Sequence, residues 1–457
     1  MKNIKKYKRT IGFLISLSII TIQSILFWQI WRIFYLPDLV APFYEKGTLL
    51  LVVVYIILLS TFTTLYGGFK VGYYRVSDII YSQILSTVFV NIITYMQLSL
   101  ISRKMLNING IIVMLLTQII IIIIWAYLSN KLYLKFNPAM KIAVVYGNDD
   151  VYNLVKKMQT RPDKYDIQFL ISAENNINTI MSEIINYDSV VIYDVESSLR
   201  NKIVKQCYQL SIRTYITPKI SDIIVGSADG LHLFDTPLFV CKNRGLSYEQ
   251  VLVKRIIDIF ISLMLIIILS PFMLLVAVAI KLYDRGPILF KQERLTLNDR
   301  VFNIYKFRSM IVSAENDGVP RLAKINDKRI TPVGKFIRML RLDELPQLFN
   351  ILKGDMSLVG PRPERPEMVN KYIEVMPEFR FRTKVKAGLT GHAQIMGKYN
   401  TSPYDKLKLD LMYIENYSLL MDFKIMLMTI KILFISESTE GFNDEELLSI
   451  KKYEENI

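Results

Sequence analysis

The chain has 457 residues, and its 52% hydrophobic content with a mean hydropathy of +0.30 is too apolar for an ordinary soluble enzyme, so a membrane protein of two or three domains is expected. Its formal net charge of +15 requires an anionic partner such as a lipid surface, nucleic acid or a phosphorylated substrate, and membrane segments make nucleic acid the least favoured of these. The two cysteines, Cys207 and Cys241, lack metal-ligand spacing and only two histidines accompany them, which argues against a disulfide framework and against a zinc site.

Four apolar segments lie within the first 135 residues, at residues 11–35, 48–66, 77–101 and 111–129. Each is long enough to cross a hydrocarbon core of about 30 Å as a helix of about 20 residues. No small-residue cleavage site follows the first segment, so we expect it to remain as an anchor rather than to be removed as a signal peptide. The N-terminal basic residues that place this end in the cytoplasm are Lys2, Lys5, Lys6, Lys8 and Arg9. Residues 1–137 are therefore predicted to form a four-helix transmembrane bundle that returns the chain to the cytoplasm.

Short β-branched runs alternate with helical patterns in residues 138–247. The predicted strands fall in residues 141–147, 165–172, 187–195 and 213–218, and the predicted helices in residues 151–159, 177–186 and 198–210. This alternation predicts a Rossmann-like α/β domain with a parallel sheet. A dinucleotide fingerprint needs three glycines after the first strand, and only Gly147 is present. We therefore expect a structural or regulatory domain without a bound nucleotide.

A fifth apolar run, residues 254–282, has basic residues before and after it, so both of its ends are expected in the cytoplasm. Ser270 and Pro271 lie near its middle, where proline removes a backbone donor and costs about 3 kcal/mol in a straight helix. We therefore predict a re-entrant membrane helix broken at Ser270 and Pro271, and a proline-kinked ordinary crossing is the alternative. Arg255 and Asp258 share one helix face near its start and are expected to pair.

Five short sequences follow this helix in order. They are GPILFKQER (286–294), FNIYKFRSM (302–310), RITPVGKFIRMLRLDELPQLFNILKGDMSLVGPRPERPE (329–367), VKAGLTGHAQIMGK (385–398) and DLMYIENYSLLMDFKIMLMTIK (410–431). Together they resemble the bacterial sugar transferases, membrane-embedded polyprenyl-phosphate phosphoglycosyl transferases that start capsule, exopolysaccharide and O-antigen synthesis. The bundle and the Rossmann-like domain before them are similar to the long form of that family. The resemblance implies a mainly α catalytic domain with α/β character at residues 248–440 and a charged tail at residues 441–457.

The resemblance implies transfer of a sugar 1-phosphate from a UDP-sugar to undecaprenyl phosphate, with release of UMP. Displacement at phosphorus needs an anionic nucleophile, and it needs a metal and cations to offset the crowded negative charge. By resemblance to the family's Asp-Glu dyad, Asp343 is the nucleophile that forms a phosphosugar-aspartate, and Glu344 helps to hold Mg2+. Pro346 is tolerated in the first turn of a helix, so a helix is predicted to begin beside the dyad and to end before Gly354.

The other expected site residues also come from the resemblance. The basic residues that match family positions for phosphate contact or support of the dyad are Lys306, Arg308, Arg338 and Arg362. The carboxylates that match family positions behind them are Glu367 and Asp410. Any one of the arginines could instead face anionic lipid. The chain departs from the family pattern at Ala387, where proline is usual, and at Arg341, where serine is usual, and His392 is expected to be structural.

The expected location is the bacterial inner membrane, with several crossings and with the catalytic domain facing the cytoplasm. The expected partners are a UDP-sugar, undecaprenyl phosphate and a bilayer containing anionic lipids, whereas nucleic acid is not expected. Assembly into a homo-oligomer is left open.

Three other classes of protein share parts of this pattern. A membrane-anchored nucleotide-sugar dehydratase or epimerase would need the glycine fingerprint and a Tyr-x-x-x-Lys pair, and neither is evident. A transporter would need polar or discontinuous helices, whereas the first bundle offers scattered Ser, Thr and Gln. A noncatalytic scaffold for polysaccharide assembly is the strongest rival, and release of UMP distinguishes it from an enzyme.

Overall fold

The structure is a computed structural model that describes residues 8–39, 44–148, 150–241, 245–312, 314, 327–397 and 401–433. The chain forms two compact units, residues 1–217 and residues 218–457. Five of the described helices are long and apolar enough to cross a membrane, four in the first unit and one in the second. This content of apolar helices is that of a membrane protein.

The first unit begins with four apolar helices. They are α1 (Lys8–Ile30), α2 (Glu45–Tyr66), α3 (Val76–Ser102) and α4 (Asn109–Phe136). A π-helical turn, Trp31–Tyr35, extends α1. Each predicted apolar segment lies within one of these helices or this extension, so the four apolar helices are confirmed. Helices α1 and α3 each pack against both α2 and α4. Three of the lysines used to predict the orientation, Lys2, Lys5 and Lys6, lie outside the described residues.

Hydrogen-bonded polar side chains join the four helices within their apolar packing. Gln118 of α4 donates to the Tyr55 hydroxyl of α2 at 2.7 Å and accepts from Asn91 of α3 at 2.8 Å. Gln23 of α1 accepts from Gln118 at 3.4 Å, and all four side chains are buried. Interhelical hydrogen bonds in membrane proteins contribute about 0.6–2 kcal/mol each. Residues that look scattered in the sequence therefore hold the helices together.

The first unit ends in a four-stranded parallel sheet of order β2-β1-β3-β4. The strands are β1 (Met140–Tyr146), β2 (Tyr165–Ser172), β3 (Ser189–Tyr193) and β4 (Arg213–Ile216). The helices between them are α5 (Val151–Gln159), α6 (Ile177–Ile184) and α7 (Ser197–Gln209). The central strands β1 and β3 are continuous apolar runs because helices cover both faces of a parallel sheet. The predicted βαβ alternation is confirmed.

The turn after β1 is closed by contact with the end of β3. A Cβ atom at Gly147 would lie 2.2 Å from the Asp194 carbonyl oxygen, so glycine is needed for this close backbone approach. The Asn148 side chain donates to the Asp194 carboxylate, and Asp194 has a left-handed φ of +47°. The polar groups of this turn therefore bind one another. Asp149 of the same turn lies outside the described residues.

The second unit combines helices with two-stranded sheets. Its N-terminal elements are α8 (Ile220–Gly226), β5 (Asp229–Leu233), β6 (Thr236–Val240), α9 (Tyr248–Asp284), β7 (Leu289–Leu295) and β8 (Val301–Phe307). Its C-terminal elements are α10 (Pro332–Met339), α11 (Gln347–Lys353), β9 (Ser357–Val359), α12 (Pro366–Val375), β10 (Gly388–Thr390), α13 (His392–Met396), α14 (Pro403–Glu415) and α15 (Leu419–Leu433). Single turns of 3-10 helix lie at Leu297–Asp299 and Leu342–Glu344, and a longer one at Pro377–Lys384. The charged tail, residues 441–457, lies outside the described residues.

The core of the second unit forms where α11, β9 and α14 meet. Leu348, Leu358 and Leu411 are buried there, and Ile223 of α8 belongs to the same apolar cluster. Because α8 packs against α14, the unit starts at Pro218, whereas the sequence predicts that the catalytic domain starts at residue 248.

Helix α9 is 37 residues long and continues through Ser270 and Pro271, so the predicted break of the helix at these two residues is wrong. Proline has no N–H to donate to the Ile267 carbonyl, and the Ser270 hydroxyl donates to that carbonyl at 2.9 Å instead. The serine thus satisfies the backbone group that the proline leaves without its usual donor.

At the end of the helix, the Asp284 carboxylate accepts from both terminal nitrogens of Arg308 in the segment after β8.

The start of α9 is fastened to two other elements. Arg255 donates to the carbonyls of Ile351 and Leu352 at the end of α11, the second at 2.7 Å. Asp258 accepts from the Ser357 hydroxyl at 3.1 Å and from the Leu358 amide at 2.9 Å, both in β9. The predicted pair between Arg255 and Asp258 is therefore wrong, because each side chain binds the folded unit rather than its helix neighbour.

Candidate active site

Asp343 and Glu344 lie in the 3-10 turn between α10 and α11. Arg341, directly before the turn, has a φ of +53°, in the left-handed region that residues other than glycine rarely occupy. Strained backbone of this kind clusters at functional sites. Leu342 and Leu345 pack onto an apolar cluster formed mainly by α9, together with Phe307 of β8 and Ile337 of α10. The leucines therefore anchor the turn that carries the two carboxylates.

Helix α11 holds the other side of this turn. It starts directly after Pro346 and ends before Gly354, which has a φ of +91°, so the predicted helix is confirmed. The buried Asn350 donates to the Asn303 carbonyl at 2.8 Å and accepts from the Tyr305 amide at 2.9 Å. These two bonds fix α11, and with it the dyad, against β8.

Glu344 is the centre of a cluster of cations. Lys306 Nζ of β8 donates to Glu344 Oε1 at 3.2 Å, and Arg362 Nη2 donates to the same oxygen at 3.0 Å. Arg341 Nη1 lies 3.9 Å from the other oxygen, Oε2. Burial alone would raise the pKa of Glu344, but the three cations outweigh it and hold the pKa well below its usual range. Glu344 is therefore ionised at any physiological pH.

Asp343 is half-buried, and its carboxylate forms no hydrogen bond or ion pair with the other residues that the structure describes. Burial and the adjacent charge of Glu344 raise the pKa of Asp343 to about 6, against the opposing influence of Lys306, Arg338 and Arg362. The two neighbouring carboxylates thus differ in pKa, because cations bind Glu344 whereas Asp343 forms no such contact.

The predicted basic residues divide into two groups. Lys306 and Arg362 contact Glu344 directly, and Arg338 acts on Asp343 through its charge. Arg308 has other partners: it pairs with Asp284 and donates from Nε to the Pro287 carbonyl at 2.8 Å. It fastens the end of α9 to the segment after β8, and its side chain is only 7% exposed.

The two predicted carboxylates behind the dyad differ from each other in burial. Glu367 is exposed in the first turn of α12, whereas Asp410 is buried in α14. Asp410 Oδ2 accepts from Arg382 Nε at 2.6 Å, and Arg382 Nη2 donates to the Arg362 carbonyl at 3.0 Å. Asp410 is therefore connected to the dyad through Arg382 and the backbone of Arg362. Burial raises the pKa of Asp410, and Arg382 opposes this effect.

Sequence reasoning missed Arg382 as a member of the site. Its two partners lie 28 residues after it and 20 residues before it, so no local spacing marks it. In the sequence, Arg341 stands out only as a departure from the family pattern, yet in the structure it borders Glu344. At the second departure, the Ala387 amide donates to the Thr296 hydroxyl at 3.1 Å, a bond that proline could not form. The hydrogen bond secures the loop at a position where proline is usual.

A metal ion at this site would need ligands from outside the protein. Among the described residues, no group of three or more His, Cys, Asp and Glu could hold a metal ion. Asp343 has an uncommitted carboxylate, and Glu344 Oε2 is less engaged than Oε1. A set of two carboxylates suits Mg2+ when water and substrate phosphates supply the rest of the coordination.

Comparison with known proteins identifies the same segment. Residues 249–436 match a family model described as bacterial sugar transferase. The exopolysaccharide production protein PSS of Rhizobium leguminosarum bv. phaseoli is 41% identical over 203 residues, which are 42% of this chain and 98% of that protein.

Two longer relatives carry more specific names. The UDP-N-acetylgalactosamine-undecaprenyl-phosphate N-acetylgalactosaminephosphotransferase of Aeromonas hydrophila is 38% identical over 253 residues, which are 54% of this chain and 59% of the relative. The UDP-glucose:undecaprenyl-phosphate glucose-1-phosphate transferase of Klebsiella pneumoniae is 36% identical over 256 residues, 55% of this chain and 53% of the relative. The chain spans about half the length of these two relatives.

Proposed function

Because this chain belongs to the bacterial sugar transferase family, we propose that it transfers a sugar 1-phosphate from a UDP-sugar to undecaprenyl phosphate and releases UMP. The observation that carries this proposal is the unequal dyad: Asp343 has a half-buried, uncommitted carboxylate, while Glu344 beside it is held by Lys306 and Arg362. The transfer is the first membrane step in building an exopolysaccharide, capsule or O-antigen.

The reaction proceeds by two displacements at phosphorus. An oxygen of Asp343 attacks the sugar-bearing phosphorus of the UDP-sugar, the bond from that phosphorus to the bridging oxygen breaks, and UMP leaves with the electron pair. An oxygen of undecaprenyl phosphate then attacks the aspartyl-phosphosugar and releases the Asp343 carboxylate. The bond from sugar C1 to oxygen survives both steps, so the anomeric configuration is retained.

The residues around the dyad have separate tasks in this scheme. Lys306, Arg341 and Arg362 offset the charge of two phosphates that meet an anionic nucleophile, and Glu344 keeps these cations at the site. Mg2+ held by Asp343 and Glu344 would supply further charge stabilisation as a Lewis acid.

We propose four membrane crossings with the sheet in the cytoplasm, and a contact within the first unit supports the number of crossings. The loop between α2 and α3 binds the sheet region, because Arg161 Nη1 donates to the Tyr73 carbonyl at 3.1 Å and Lys164 Nζ lies 4.8 Å from the centre of the Tyr73 ring. This loop and the end of α4 therefore belong on one side of the membrane. An even number of crossings between these two points, one by α3 and one by α4, fulfils that condition.

The contacts of α9 support its re-entrant path. At 1.5 Å per residue, a straight helix of this length extends about 55 Å, far more than the bilayer core. Its start binds α11 through Arg255, and its end binds the segment after β8 through Asp284. Both ends thus contact the same unit, while apolar side chains between them, such as Phe260, Ile267 and Leu274, are exposed. A helix that enters and leaves the cytoplasmic leaflet satisfies both facts.

The rival function, a noncatalytic scaffold, gives no reason for a carboxylate kept uncommitted among cations. The deciding experiment supplies the purified protein with a panel of UDP-sugars, first alone and then with undecaprenyl phosphate. We expect one UDP-sugar to release UMP before the acceptor is added, in an amount no greater than that of the enzyme. UMP release that requires both substrates would favour direct attack by the lipid phosphate, and no release from any donor would favour the scaffold.

A further inference from the structure

The N-terminal part of α9 binds the two elements that bring Arg362 and Glu344 together. Arg255 donates to carbonyls at the end of α11, the helix that directly follows the turn of the dyad. Asp258 accepts from groups of β9, the strand that leads into Arg362. Because Arg362 Nη2 donates to Glu344 Oε1 at 3.0 Å, one stretch of the apolar helix is connected to both partners of this contact.

The carboxylate of Asp258 is buried and bound to β9. Its Oδ1 atom accepts from the Ser357 hydroxyl at 3.1 Å and from the Leu358 amide at 2.9 Å, and the residue is 4% exposed. Lys254, one turn before it, has its own partner in Asp422 at 2.5 Å. A buried amide that loses its acceptor suffers the full cost of desolvation, so Asp258 determines where β9 lies.

The segment between β9 and Arg362 transmits this position. The Gly360 amide donates to the Thr390 carbonyl at 2.9 Å, and the Pro361 carbonyl accepts from the Gly388 amide at 2.9 Å. Proline also fixes its own φ, so the two linking residues leave the backbone little freedom. A shift of β9 would therefore move Arg362 relative to the dyad.

Arg255 fixes the other partner of the contact. Helix α11 has seven residues, with the dyad before its first residue and the guanidinium of Arg255 at its last carbonyls. A cation in this place satisfies carbonyls that lack an intrahelical donor, and it stabilises the negative end of the helix dipole. With α11 held in this way, the position of β9 decides how Arg362 meets Glu344.

We propose that Asp258 is a positioning residue for the transfer reaction, which holds Arg362 at the dyad through β9, and this inference rests on the proposed function. Its own partners lie in β9, so its influence on the reaction passes through the backbone. A cation stabilises the charge that develops at phosphorus only where it has been placed in advance, and a displacement of about 1 Å can lower a rate about 100-fold. The seating of α9 and the alignment of the site therefore depend on the same carboxylate.

A double-mutant cycle between Asp258 and Arg362 distinguishes positioning from a general loss of stability. We expect Asp258→Asn, which keeps the shape of the side chain, to lower the rate constant of the donor-only UMP burst about 10-fold. In an Arg362→Ala background, the same change should have no further effect, since the group that it displaces is absent. A merely structural role would lower the rate by the same factor in both backgrounds.

Ser262→Ala is the matched control. Ser262 lies one turn after Asp258 in α9 and is also buried, but its hydroxyl has no hydrogen-bond partner in the part of the chain that the structure describes. The burst of this variant should match that of the wild type, because the change breaks no bond to β9.

An unchanged burst rate in Asp258→Asn, or a loss that persists in full beside Arg362→Ala, would overturn the inference. If Asp258→Asn does not fold, Ser357→Ala decides, since it removes one donor to Asp258 and leaves the charges of α9 unchanged. We expect about a threefold loss from Ser357→Ala that disappears beside Arg362→Ala, and any other result there overturns the inference. A wild-type protein that releases no UMP would contradict the proposed function as well, whereas an active wild type with additive losses would contradict the inference alone.

Discussion

The turn after β1 and the turn before α11 both follow regular elements and both carry polar side chains, yet they differ in how those side chains are bonded. In the first, Asn148 binds Asp194 and Gly147 fits against the Asp194 carbonyl, so the polar groups satisfy one another. In the second, Glu344 is held by cations while Asp343 has no described partner. The comparison teaches that a reactive carboxylate can be recognised when its neighbours are fixed by hydrogen bonds and ion pairs while its own oxygens form none.

The largest effect is expected from Asp343→Asn, which keeps the shape of the side chain but removes the anionic nucleophile. Turnover and the donor-only UMP burst should fall together by at least about 1,000-fold, as for other covalent nucleophiles. Single-turnover UMP release measures both. Asp405→Asn, at an exposed surface pair, is the matched control and should behave as the wild type. A phosphosugar adduct on Asp343→Asn would show that another residue is the nucleophile.

Glu344→Gln should reduce the rate about 100-fold, because Lys306 and Arg362 lose the charge that holds them. It should also weaken the dependence on Mg2+, since an amide is a poorer ligand for a hard cation. A titration of activity against Mg2+ concentration tests both statements. A variant with normal Mg2+ dependence and a lower rate would assign Glu344 to holding the cations alone.

The rate of the donor half-reaction should depend on pH through Asp343. Its pKa is raised to about 6, so the carboxylate needed for attack is lost as the pH falls through that value. We expect the second-order rate constant of the UMP burst to be half-maximal near pH 6 and to fall about tenfold for each unit below it. Removing the negative charge in Glu344→Gln should move the midpoint to lower pH. A profile that stays flat from pH 5 to pH 8 would contradict an uncommitted Asp343 nucleophile.

Arg382→Lys tests a residue that is connected to the dyad through the backbone of Arg362. Lysine can keep an ion pair with Asp410, but it cannot also donate to the Arg362 carbonyl in the geometry of a guanidinium. We expect a fall of about 10-fold in kcat/KM for the UDP-sugar, with the thermal midpoint changed by only a few degrees. If the protein unfolds at a much lower temperature instead, Arg382 acts mainly on stability.

The smallest effect is expected in the turn after β1. Asn148→Ala removes the side-chain bond to Asp194 at an exposed position. Transferase activity should stay within about twofold of the wild type, because surface changes of this kind have small energetic consequences. A tenfold loss of activity, with the protein still folded by circular dichroism, would break the comparison by making this turn part of the functional site.

Much of the fold could be predicted because its signals are local. Unbroken apolar runs mark α1 to α4, and β-branched runs between helical patterns mark the parallel sheet. Pro346 and Gly354 bound α11 because each restricts or permits a particular backbone conformation. The pairing of Arg255 with Asp258 failed for the opposite reason. Helix spacing brings the two side chains onto one face, but stronger partners in α11 and β9 compete for them.

The sequence by itself determined that this is a membrane protein with an Asp-Glu dyad in a basic segment, since hydropathy and motif order are properties of the chain alone. Only the tertiary structure decided which cations meet that dyad. Lys306 and Arg362 reach Glu344 from 38 residues before it and 18 residues after it, whereas Arg308, two residues beyond Lys306, binds Asp284 instead. Lys306 and Arg308 bind different partners because β8 ends between them. The packing of α9 and α11 against that strand determines which carboxylate each of the two side chains contacts.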